Sequence, residues 1–185
     1  ERHALYDSMA ETLAHLHAID PHALGLADFG RPGNYFERQL ARWSKQWNDS
    51  AIKEIPVLDS LIDELTRRLP ADDGLVSIVH GDYRIDNVIW AAEDDDVIAV
   101  LDWEMATLGD PISDLAIALV YWSQASDTLR GQIPVAEHIT EAPGFWRRDE
   151  FIDRYSAKTG FSLDHLDTCV ALACFKLAVI MESIH

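Results

Sequence analysis

A chain of 185 residues, 48% of them hydrophobic, is long enough to bury one sizeable core and too apolar to read as disordered. Its 15 Lys and Arg against 32 Asp and Glu leave a formal charge of −17, which argues against nucleic acid and anionic membrane as partners. A bound phosphate would need that field reversed locally, by a few arginines or by divalent cations.

The apolar positions Leu5, Met9, Leu13, Leu16 and Ile19 predict a first helix, closed by Asp20-Pro21. A loop with Gly25, Gly30 and Gly33 follows. Gly25 and Gly30 have the separation of a phosphate loop, but no strand precedes them and Arg31-Pro32 stands where Lys and Ser or Thr are needed. Asn34 is placed to cap a second helix through Phe36, Leu40, Trp43 and Trp47, whose Trp stripe reads as core or groove wall. A third helix from Val57 to Leu69 stops at Pro70, ahead of the acidic turn Asp72-Asp73-Gly74.

Short β-branched runs come next: Leu75 to Val79, Val88 to Trp90 and Val97 to Leu101 read as strands, the last two joined by a polar turn from Glu93 to Asp96. Asp110-Pro111 starts another helix, Ile112 to Trp122. Residues 123–146 read as loop, and helices over about Asp149 to Lys158 and from Leu163 onward complete the chain. The fold class is therefore mostly α with a small β hairpin insert (α+β). Cys169 and Cys174, five apart in an apolar stretch, offer neither a disulfide framework nor a CxxC pattern and read as buried, inert thiols. There is no membrane-length apolar run and no leader pattern, so the expectation is a soluble cytoplasmic protein. The sequence opens at Glu1 inside one helical pattern and stops at His185 inside another, which reads as part of something larger.

The chemistry concentrates in HGDYRIDNVIW and VIAVLDWE. A strand delivers Asp82 into a tight loop, Asn87 closes that loop five residues later, and the hairpin brings Asp102 back at the end of its second strand. Three oxygen-bearing side chains in that arrangement suit phosphoryl transfer, which needs a carboxylate to accept a hydroxyl proton and hard oxygen donors to hold Mg²⁺ on phosphates.

The order HGDxxxxN, an apolar strand ending in Asp, then GDPISDLA over residues 109–116, resembles the catalytic core of the aminoglycoside phosphotransferase and choline kinase family, distant relatives of protein kinases. The resemblance implies that residues 1–185 are the C-terminal lobe of a protein-kinase-like fold, using ATP and Mg²⁺. It further implies Asp82 as catalytic base, Arg84 as a phosphate contact, Asn87 and Asp102 as metal and nucleotide ligands, His80 as a brace of the loop, and Asp114 as its tie to the helix beneath. The run LADFGRPGNYFERQLARWSKQW is similar to the subgroup fused to acyl-CoA dehydrogenase domains, implying a small hydroxyl-bearing acyl or metabolite acceptor. Trp103-Glu104 departs from the Phe-Gly of protein kinases. No glycine-rich loop, and no lysine upstream of Lys45, supplies an ATP clamp, so the N-terminal lobe is expected to be absent here, the fragment inactive alone, and self-association through the uncovered face possible. Two other classes stay open: a hydrolase whose metal is held by His80, Asp82 and Asp102, and a non-catalytic, pseudokinase-like binding module.

Overall fold

Helix α1, Arg2–Ala18, owes its place to a stripe recurring every three to four residues: Tyr6, Met9, Ala10, Leu13, Ala14 and His17 are buried. The stripe is rotated one position from the expected one, so Leu5 is only partly covered and Ile19, past the helix end, is exposed. The computed structural model describes residues 2–31, 33–50, 55–127 and 139–184. Part of the loop expected over 123–146 lies outside the described residues.

Helix α2, Tyr35–Ser50, buries Phe36, Leu40, Trp43 and Trp47. Asn34 precedes it as expected but in the left-handed region at φ +48°, which Asn tolerates better than most residues. Its carbonyl accepts the Arg38 N–H and its own N–H goes to Asp72, so the chain is turned by backbone bonds rather than by a side-chain cap. Helix α3, Pro56–Arg68, begins on its proline and packs against α2.

The expected first strand is shorter than the reading from Leu75. The carboxylates of Asp72 and Asp73 accept the N–H groups of Gly74 and Leu75, holding this stretch in Asx turns, so β1 starts only at Ser77 and runs Ser77–Val79. Strands β2, Val88–Trp90, and β3, Val97–Val100, form the expected antiparallel hairpin, with an irregularity between Ile89 and Trp90. A strand not expected from sequence, β4, Thr107–Gly109, pairs antiparallel with β1 in a second two-stranded sheet. Three residues are too few for a periodicity signal.

Helix α4, Ile112–Tyr121, is buried over nearly its whole length, and α6, Leu166–Ile184, packs along it. Helix α5, Arg148–Thr159, lies against α1 and ends in the left-handed Gly160. Helix α6 starts three residues later than expected because Ser162 and Leu163 are used in a turn that feeds it. One apolar cluster joins α1, α2, α4, α5 and α6. Cys169 is buried there, its thiol pushed up to about 12 by desolvation, but Cys174 is exposed, since five helical residues turn it away from Cys169. The fold is thus mostly helical with two small antiparallel sheets, and no described helix is long and apolar enough to cross a membrane.

Candidate active site

Beyond Val79 the chain leaves β1 and turns at Gly81, where φ is +84°. A Cβ there would sit 2.7 Å from the Met105 carbonyl oxygen, so both the dihedral and the space require glycine. The turn is held from below by Asp114, a fully buried carboxylate in the first turn of α4. Its Oδ2 accepts the His80 N–H at 2.5 Å and its Oδ1 the Gly81 N–H at 2.7 Å. Oδ2 also faces His17 Nε2 at 3.2 Å, while His17 Nδ1 lies 2.6 Å from the Tyr155 hydroxyl. A buried carboxylate with this many partners avoids the large penalty of an unpaired one. From α6, Lys176 Nζ donates to the Gly81 carbonyl at 2.6 Å, so both polar groups of Gly81 are gripped by charged side chains from different helices.

His80 is wholly buried and uses both ring nitrogens. Nε2 donates to the Leu101 carbonyl at 2.8 Å and Nδ1 accepts the Asp82 N–H at 3.2 Å, the pattern of the neutral Nε2–H tautomer. With neither nitrogen free, His80 offers nothing to a metal, which removes a ligand from the hydrolase arrangement. Its ring edge meets Trp103 at 4.8 Å. Tyr83 anchors the loop in the other direction, donating its hydroxyl to the Met9 carbonyl at 2.9 Å.

Asp82 and Asn87 are in direct contact. The Asn87 amide Nδ2 donates to the Asp82 carbonyl at 2.8 Å and to its Oδ2 at 3.1 Å, so neither of these bonds uses Asn87 Oδ1. The 3₁₀ turn Ile85–Asn87 makes this closure, with the Asn87 N–H returning to the Arg84 carbonyl. Arg84 lies over the Tyr121 ring at 5.0 Å, with its Nε 3.6 Å from Asp82 and its Nη1 3.6 Å from Asp86. Its Nε has no hydrogen-bond acceptor. The Tyr121 phenol is raised by burial and then by the neighbouring charge of Asp82.

Asp102 joins this pair through the backbone. The Leu101 N–H donates to the Asn87 carbonyl at 2.7 Å, and Leu101's own carbonyl is the one held by His80, so residue 101 is stitched to both ends of the loop. Asp102 itself adopts a left-handed conformation, φ +63° and ψ +59°, and is exposed. A non-glycine residue in that region is uncommon and marks a position set by its surroundings. Asp82 and Asn87, five residues apart, thus touch, and Asp102 follows one residue after the stitch. Glu104 is exposed beside it. The Asn87 amide oxygen, unused by the bonds to Asp82, and the exposed Asp102 carboxylate, one residue past the backbone bond to Asn87, are oxygen donors of the kind Mg²⁺ takes, a few from protein with water and phosphate for the rest.

Three neighbours of the site carried weak sequence signals. Lys176 is the one cation in the apolar run from Val170 to Met181, His17 interrupts the buried stripe of α1, and Tyr121 ends α4. A charged or polar residue inside an apolar stripe signals a buried partner, and the first two could have been noted on that ground. Asp110, set aside as a helix cap, does cap, accepting the Ile112 N–H at 2.8 Å, and desolvation raises its carboxyl to about 6.

The site thus brings together a strand-fed loop with a carboxylate and an amide in contact, a second carboxylate after the last strand of an adjoining hairpin, and a buried aspartate beneath them. The chain belongs to the phosphotransferase enzyme family, whose family model matches residues 1–154. It is 40% identical over 190 residues to acyl-CoA dehydrogenase family member 11 of Rattus norvegicus, covering 100% of this chain and 24% of that one. A crystal structure of a Ralstonia eutropha protein assigned to the aminoglycoside phosphotransferases superposes with TM-score 0.84 at 38% identity, covering 98% of this chain and 55% of that one. An aminoglycoside phosphotransferase from Streptomyces rimosus, solved with ADP and streptomycin, shares the fold at TM-score 0.61 and 16% identity, over 97% of this chain and 62% of that one. The chain therefore spans about a quarter of that rat relative and little more than half of these bacterial structures.

Proposed function

We propose that this chain carries the catalytic centre of an ATP-dependent kinase that moves the γ-phosphoryl group to a hydroxyl of a small molecule, as the C-terminal lobe of a protein-kinase-like fold. The observation that carries the reading is the Asp82–Asn87 contact, with the loop's Asn87 carbonyl bonded to the residue before Asp102. Asp82 accepts the proton of the attacking hydroxyl through the oxygen not bonded to Asn87. Asn87 Oδ1 and the Asp102 carboxylate would hold Mg²⁺, which when bound would neutralise charge on the phosphates. Arg84, whose Nε makes no hydrogen bond and which has two acidic neighbours at ion-pair distance, is placed to exchange part of that pairing for a phosphate oxygen. His80 and Asp114 touch no substrate; they fix where Asp82 sits.

The chain has no glycine-rich phosphate loop, and we assign the remaining nucleotide contacts to a lobe outside it, so this chain alone binds ATP poorly. ADP in the Streptomyces rimosus structure supports the nucleotide; the likeness to an acyl-CoA dehydrogenase family member supports a hydroxylated acyl compound or related metabolite as acceptor. The acidic surface fits a cytoplasmic enzyme with no nucleic-acid or membrane partner. The test is a screen of hydroxylated metabolites and hydroxyacyl thioesters with the full-length protein and labelled ATP. Transfer of label to one acceptor class supports the reading; ATP hydrolysis with no acceptor dependence, or no transfer to any hydroxyl, contradicts it.

A further inference from the structure

A notch of about 400 Å³, counting the space open to solvent, lies between α2, α4 and α6 and reaches Gly81 of the loop that carries Asp82. Its walls are mostly apolar, with Phe36 and Trp43 from α2, Ile117 from α4, and Leu172 and Ala173 from α6, alongside the polar Gln39 and Ser113. Lys176 is the one charged side chain among the described lining residues. In a chain of net charge −17, a largely buried cation facing an apolar notch calls for an explanation.

Packing does not supply it. The Lys176 ammonium spends one of its three donors on the Gly81 carbonyl and stands 5.7 Å from the Trp43 ring centre. Among the described residues no carboxylate forms an ion pair with it. Burial lowers its affinity for the proton, while the charges of Asp82 and Asp114 oppose that loss, which places the ammonium within electrostatic reach of the catalytic carboxylate. A methionine would fill the same volume at lower desolvation cost. Two unspent donors, an apolar wall and a place beside Asp82 describe a receptor for a molecule with an anionic end and a short apolar body.

We propose that this notch is the acceptor site and that Lys176 binds a carboxylate or other anionic group joined to the acceptor's short aliphatic part, leaving its hydroxyl toward Asp82. This extends the phosphotransfer reading by naming the acceptor class, and it makes Lys176 a specificity-determining residue. Hexanoate and hexanamide are equal in shape and differ in charge, so their binding to this chain, followed by NMR titration at neutral pH, tests the proposal without requiring turnover.

Hexanoate is expected to bind at least about tenfold more tightly than hexanamide, the scale of one charge-assisted hydrogen bond. Lys176→Met should bring the ratio to about one, Lys176→Arg should keep a preference for the anion, and Ala173→Leu, which fills the notch, should weaken both probes. Tryptophan fluorescence reports whether the Lys176→Met chain is folded; if the lost Gly81 contact unfolds it, the Arg and Leu variants decide. Equal binding of the two probes, an unchanged ratio in folded Lys176→Met, or undiminished binding in Ala173→Leu overturns the proposal. Hexanoate should still bind to Asp82→Asn, so a failed phosphorylation screen with intact hexanoate binding would count against phosphotransfer alone, and the reverse would count against the notch alone.

Discussion

The two ends of the segment from His80 to Asp102 are built in opposite ways. At His80-Gly81, N–H groups, a carbonyl and a ring are all committed to partners within the protein, the buried Asp114 with Lys176 and the Leu101 carbonyl. At Asp102 the side chain is exposed in a left-handed residue, and the surrounding Leu101, Trp103, Ile89 and Ile98 are exposed apolar groups. On the proposed roles the contrast has a reason: a base must be held within a fraction of an ångström of its proton, whereas a metal ligand can wait in solvent for metal and nucleotide to arrive. Precision at Asp82 therefore comes from helices behind it, and openness at Asp102 from the hairpin in front.

The sharpest way to break that contrast is to remove the brace. Asp114→Ala strands two buried N–H groups and His17, and should cost about 3–5 kcal/mol in denaturant unfolding, the scale for losing one partner of a buried charged network. Asp102→Asn, by comparison, keeps a side chain that tolerates the left-handed conformation and should change stability by less than about 0.5 kcal/mol, as for other exposed positions. Gly81→Ala combines a positive φ with a Cβ 2.7 Å from the Met105 carbonyl oxygen and should cost about 1–3 kcal/mol. If Gly81→Ala proved neutral, the loop would be looser than its bonding indicates.

A smaller effect comes from Asp110. Its carboxyl is raised from 3.8 to about 6, chiefly by desolvation, so the folded chain holds this proton more tightly than the unfolded chain. That contribution is fully present below about pH 4, fades as pH rises toward 6, and is gone above it. Asp110→Asn keeps an acceptor for the Ile112 N–H and loses the charge. It should stabilise the fold at pH 7 by about 1–2 kcal/mol, less than the full linkage value because the carboxyl retains some solvent, and leave stability at pH 3.5 unchanged.

Much of this architecture is legible before folding. Every described α-helix is marked by spaced apolar residues or by a proline at one end, and the hairpin by two β-branched runs around Glu93 to Asp96. The contact of Asp82 with Asn87 follows from a loop too short to separate them. What is not legible is non-local: β4 has three residues and exists because β1 pairs with it, and Asp114 reaches His17 97 positions away. Lys176 meets Gly81 across 95 positions, and only the packing of α6 on α4 brings them together. The left-handed Asp102 is hidden for the same reason, since its dihedrals are set by the stitches through Leu101 to Asn87 and His80.

On the proposed function Asp82 and Asp102 divide the labour, and the direct measurement compares their Asn variants in the full-length protein, reading turnover and Mg-nucleotide affinity separately. Asp82→Asn should lower turnover by about 10²- to 10⁴-fold with the nucleotide dissociation constant nearly unchanged, because a base acts mainly in the transition state. Asp102→Asn should weaken Mg-nucleotide binding as well. Wild-type turnover in Asp82→Asn, or nucleotide binding lost equally in both variants, would contradict it.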